Sequence, residues 1–91
     1  MPEVRMQIEW PGQEADQVYS PSSVIRDYFE EGESMPAADF EARVVEALEA
    51  AGDRVREVYG TRCASARAET ERLRDRIQHV AEDEHVTIVR L

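Results

Sequence analysis

Residues 3–20 read EVRMQIEWPGQEADQVYS, and this stretch decides the fold. Val4, Met6, Ile8 and Trp10 alternate with Glu3, Arg5, Gln7 and Glu9. A period of two puts the four apolar side chains on one face of a strand and leaves the other face wet. Pro11-Gly12 then breaks the run: proline presets φ, glycine accepts a positive φ, and the chain turns back. Glu14 to Ser20 is the return strand, with Ala15, Gln17 and Tyr19 on one face and Asp16, Val18 and Ser20 on the other. Its weak apolar signal marks it as an edge strand.

After the hairpin the chain enters a composite connector, residues 19–40, YSPSSVIRDYFEEGESMPAADF. Ser20 or Ser22 is placed to cap a short helix over Ser23 to Phe29. Val24, Ile25, Tyr28 and Phe29 form its apolar stripe. Glu30 to Ser34 reads as an acidic loop around Gly32. The first long helix starts near Ser34, with Pro36 in its first turn, where a missing N–H costs nothing. Phe40, Val44, Leu48, Ala51, Val55 and Val58 recur at steps of three and four, with Ala47 and Tyr59 widening the stripe. Gly60 is the expected left-handed cap.

A second helix follows from Thr61 or Arg62 to Ala81, with Cys63, Ala66, Thr70, Leu73, Ile77 and Val80 as its stripe. The tight junction makes the two helices an antiparallel hairpin. Val86 to Leu91 is rich in β-branched residues and reads as a final strand. The expected fold is therefore α+β: one domain over residues 1–91, in the order ββ, short α, α, α, β. Its small three-stranded sheet, antiparallel or mixed, comprises the N-terminal hairpin plus the C-terminal strand. The helical hairpin covers it.

The formal net charge is −9, and it is uneven. Residues 1–49 hold three Arg and twelve acids, whereas residues 50–91 hold eight of each. An acidic front repels phosphate and anionic lipid, so nucleic acid and membrane surfaces are not the expected partners. It suits a basic patch on a protein. All eleven basic residues are Arg, which removes lysine Schiff-base chemistry. One cysteine makes no internal disulfide, no apolar run has the length of a membrane span, and charges interrupt the N-terminal stretch where a signal peptide needs an apolar core. The expected location is the cytoplasm.

Candidate chemistry is sparse. Cys63, at a helix start beside Arg62 and Arg67, is either a reactive thiol or a packed structural one. His79, Glu82, Asp83, Glu84 and His85 match no metal-ligand spacing, and Asp27, Glu30, Glu31 and Glu33 lack the alternation of an EF-hand. No metal site, no catalytic residue and no cofactor is assigned. Phosphate-loop, dinucleotide and triad motifs are absent. Trp10 and Phe29 are assigned to the core, and Tyr28 to the core or a contact surface. The candidate interaction surface is Tyr19, Asp27, Tyr28, Glu30, Glu31 and Glu33.

The run YSPSSVIRDYF, the acidic glycine-containing loop, MPAADF, and RVREVYG followed by Cys63 resemble a family of small bacterial nitrogen-starvation response proteins. The resemblance extends from the opening MPEVR strand and Trp10-Pro11 to the terminal strand. Such proteins are encoded beside a nitrilase, a radical-SAM protein, a flavoprotein and an acetyltransferase-like protein. The resemblance implies a role in nitrogen or nitrile assimilation and carries over no catalytic residue. The expected function is a non-catalytic accessory protein, acting by docking an enzyme of the same gene cluster or by self-association as a homo-oligomer. The alternative is a small enzyme or ligand carrier using Cys63 and the Tyr19–Tyr28 region.

Overall fold

The computed structural model describes residues 3–60 and 64–91. The alternating N-terminal segment forms β1 (Val4–Trp10), and the return strand forms β2 (Glu14–Ser20). They pair antiparallel, from Val4 opposite Ser20 to Trp10 opposite Glu14. The turn is built as its residues dictate. The Gln13 N–H donates to the Trp10 carbonyl at 3.0 Å, across Pro11 and a Gly12 with φ of 88°. Val4, Met6, Ile8 and Trp10 are all buried, as their period of two requires.

Two strands follow later in the chain: β3 (Ser34–Pro36) and β4 (His85–Arg90). The sheet is four-stranded, in the order β2-β1-β4-β3, with every pairing antiparallel. The three-stranded expectation is thus corrected by β3, which had been read as the start of the long helix. The residue before a proline is pushed toward extended backbone. Met35 accordingly pairs with Val86, and Pro36 itself is extended at φ −56° and ψ 149°. The helix starts one residue later. Its first two N–H groups are satisfied by the returning chain: Ala37 donates to the Glu84 carbonyl at 2.8 Å and Ala38 to that of Glu82 at 3.3 Å.

The short helix is also corrected. It is a 3₁₀ helix, Ser23–Asp27, and not an α-helix reaching Phe29. The Tyr28 N–H donates three residues back, to the Ile25 carbonyl, which is the 3₁₀ pattern and suits a short piece. Ser22 is the N-cap, its hydroxyl accepting from the Val24 N–H at 3.3 Å.

The helical hairpin comprises α1 (Ala37–Tyr59) and α2 (Ala64–Ile77). Gly60 ends α1 in the left-handed region, with φ of 84°. The start placed at Thr61 or Arg62, and Cys63, lie outside the described residues. α2 ends at Ile77 rather than Ala81, because the N–H groups of His79 and Val80 donate three residues back and tighten the chain into turns. The buried stripe of α1 runs through Ala37, Phe40, Val44, Ala47, Leu48, Ala51 and Gly52, then stops. Val58 and Tyr59, assigned to the stripe, are 54% and 62% exposed. Twenty-three helical residues span about 35 Å, whereas seven strand residues reach only about 23 Å, so the last turns of α1 overhang the sheet.

The core lies between the helices and one face of the sheet. Trp10 and Phe40 meet edge to face at 5.6 Å, and Phe29 packs against Phe40 at 5.8 Å. Leu48 and Leu73 bring the two helices into the same cluster. Both helices sit on the side of Val4, Met6 and Ile8; the side carrying Arg5, Gln7, Gln17 and Tyr19 remains partly open.

Candidate functional site

The connector between β2 and α1 carries five of the six candidate contact residues, all but Tyr19. Its entry is rigid. Ser20 and Ser22 are both buried, and the Ser20 hydroxyl donates to the Ser22 carbonyl at 2.6 Å. Phe29 then anchors the segment in the core. The loop beyond it is bonded to β4: Gly32 N–H donates to the Ile88 carbonyl, and Ile88 N–H to the Glu33 carbonyl, each at 2.7 Å. Arg43 of α1 clamps it from the other side. One guanidinium nitrogen donates to the Tyr28 carbonyl at 3.2 Å and to Glu33 Oε2 at 2.7 Å, while the guanidinium carbon lies 5.9 Å from the Phe29 ring centre.

The four acids of this segment therefore differ in role. Glu33 is a structural partner. The hydrogen bond from Arg43 holds its carboxyl below the ordinary value, outweighing partial desolvation, and the Glu30 backbone N–H assists. Glu31 accepts the Leu91 N–H at 3.0 Å and so ties the loop to the end of β4. Asp27 and Glu30 are exposed on this pinned backbone. Tyr28 is half-buried against the core. Tyr19 belongs elsewhere: it alternates with the buried Val18, so its ring lies on the open side of the sheet, 5.5 Å from the Arg5 guanidinium. The structure thus brings Asp27, Tyr28, Glu30, Glu31 and Glu33 into one segment and leaves Tyr19 apart from them.

A second polar cluster joins β2 to α2. Asp16 Oδ2 accepts from the buried Trp10 indole N–H at 2.8 Å and from Arg72 at 3.1 Å. Burial alone raises the Asp16 carboxyl. The bonds from Trp10, from the Gln17 backbone N–H and from Arg72 outweigh it, and the net displacement is downward. Arg72 in turn is raised, first by its bonds to Glu69 and then by Asp16, against the opposing effect of burial. Arg76 lies 5.0 Å from the Trp10 ring centre and pairs with Glu14.

This cluster closes the outer edge of β2. The Gln17 N–H donates to Asp16 Oδ1 at 2.7 Å, the Gln17 carbonyl accepts from Arg72 at 2.8 Å, and the Tyr19 N–H donates to Glu69 at 2.8 Å. An edge strand whose ladder groups are taken by side chains offers little to a pairing strand. Sequence reasoning missed the cluster. Its available signal was the Arg72 and Arg76 pair at i, i+4, which places two cations on one helix face.

A family model described as nitrogen starvation-induced protein NitG matches residues 5–91. The chain belongs to the NitG family. The match takes in all of β1 but Val4 and every later strand and helix, and with them both the connector and the Asp16–Arg72 cluster. No curated protein and no solved structure matches the chain. Membership links this NitG-family protein to nitrogen starvation by the condition of its induction.

Among the described residues, no three of His, Cys, Asp and Glu converge as metal ligands, and no helix is long and apolar enough to cross a membrane. His85, at the start of β4, shares a hydrogen bond with the Ser34 hydroxyl at 3.2 Å. His79 is exposed after the end of α2.

Proposed function

We propose that this NitG-family protein is a cytoplasmic, non-catalytic accessory protein of bacterial nitrogen assimilation, which docks a basic patch on an enzyme of its pathway through the connector. One observation supports this reading above the others: Asp27 and Glu30 are exposed on a backbone held from both sides, by Arg43 and by β4. A loop pinned in this way presents its charges without a large ordering cost on binding. Tyr28 beside them supplies a partly exposed aromatic contact.

Replacing Asp27 and Glu30 together with Arg tests it. Both are solvent-facing, so the fold should lose no more than about 0.5 kcal/mol. The partner should vanish from pull-downs, and growth on a poor nitrogen source should fall to that of a deletion strain. Cys63→Ser should leave growth intact. A doubly reversed protein that still binds and supports growth refutes the docking role, and growth lost with Cys63→Ser transfers the function to a thiol-dependent enzyme or carrier.

A further inference from the structure

The helical hairpin carries a groove of about 540 Å³ between its helices. Leu48 and Gly52 of α1 and Ala66 of α2 form its floor. Glu49, Arg67, Glu71 and Arg74 form its rim. All four rim residues are exposed, and only Arg67 and Glu71 pair with each other, at a loose 3.8 Å. The stripe Leu48, Gly52, Val55 and Tyr59 continues the floor toward the overhanging end at helical spacing.

We infer that this groove is an interface between two copies of the chain, in which the overhanging hairpins pack as a four-helix arrangement. Charge complementarity selects the occupant. A two-fold contact must be self-complementary, because the same patch meets itself. The rim holds two acids and two arginines, so Glu49 and Glu71 of each copy can face Arg67 and Arg74 of the other. The groove also draws chiefly on the half of the chain with no net charge, residues 50–91, whereas residues 1–49 carry the whole −9 and repel a second copy. Small residues on the floor let helix backbones approach closely, and such approach sets interaxial distances of about 8–10 Å. The inference is independent of docking through the connector, which contributes no residue to the groove.

The test uses the intact chain in two charge-reversed forms. One carries Glu49→Arg and Glu71→Arg, the other Arg67→Glu and Arg74→Glu. Circular dichroism verifies that each form keeps the wild-type helix content. Sedimentation velocity over roughly 5–500 μM should show wild-type dimer that dissociates on dilution, as a small interface requires. Each reversed form should weaken association at least tenfold, and their equimolar mixture should recover a mixed dimer. A wild-type chain that is monomeric throughout overturns the inference and leaves the groove to another protein or to solvent. Reversed forms that dimerise like wild type, or a mixture that stays monomeric, overturn it equally.

Discussion

Asp16→Ala is the perturbation whose cost can be worked most directly from the structure. Asp16 accepts the indole N–H of Trp10, a residue only 2% exposed, at 2.8 Å. Removing the carboxylate leaves that donor buried without a partner, and a hydrogen bond to a charged group contributes about 1.5–3 kcal/mol. The Arg72 contact is partly exposed and adds up to about 1 kcal/mol. The expected loss is therefore about 2–4 kcal/mol, from a total on the order of 5–14 kcal/mol for a chain of this length. At about 4–8 °C per kcal/mol, the melting temperature should fall by roughly 8–32 °C. Trp10 is the only tryptophan, so its fluorescence during urea unfolding reports on the cluster itself. Asp16→Asn keeps an acceptor and should cost about half as much. The folded Asp16 carboxyl is displaced below its ordinary 3.8, so its contribution is complete above that value and is lost as pH falls through the lowered one. The gap between wild type and Asp16→Asn should stay level from about pH 7 to 5 and narrow below about 4. A cost of Asp16→Ala under about 1 kcal/mol, or a gap that widens in acid, refutes the reasoning.

Leu48→Ala and Leu73→Ala remove side chains 1% and 0% exposed, and denaturant melts should show about 2–5 kcal/mol lost for each. Glu33→Ala breaks the Arg43 clamp and should cost about 1 kcal/mol by the same assay, whereas Glu30→Ala, on the same loop but exposed, should stay within about 0.5 kcal/mol. Hydrogen exchange should mirror that contrast, with Glu33→Ala speeding exchange of the Gly32 and Ile88 amides that bond the loop to β4.

Elements with a strong period were legible in the residues. The Val4–Trp10 alternation, the Pro11-Gly12 turn and the weak return strand gave the hairpin and its edge position. The three-and-four spacing of Phe40, Val44 and Leu48 gave the buried face of α1. Local pattern failed where tertiary partners decide. Ser34–Pro36 is too short for periodicity to register, and it is a strand only because β4 arrives beside it from fifty residues away. Val58 and Tyr59 continue the apolar spacing of α1 without a sheet beneath them. Spacing assigns a face, and the length of the neighbouring layer determines how far along the helix that face is covered.

The proposed contact surface shows the same limit in its charges. Composition gave the acidic front half. It did not distinguish Glu33 from Glu30, because the difference is made by Arg43, ten residues from Glu33 in sequence and adjacent only once α1 has docked. Nor did it separate Asp16 from the other acids of the first half. Asp16 is committed to Trp10 and Arg72, and with Glu69 it closes the β2 edge. Acids spent on internal partners present little field to an approaching protein, since their charge is largely matched where it sits. The effective acidic surface is thus narrower than the −9 imbalance suggests. Asp27 and Glu30 remain solvent-facing in the connector, and that is why reversal of those two, rather than of all four connector acids, separates a loss of docking from a loss of fold.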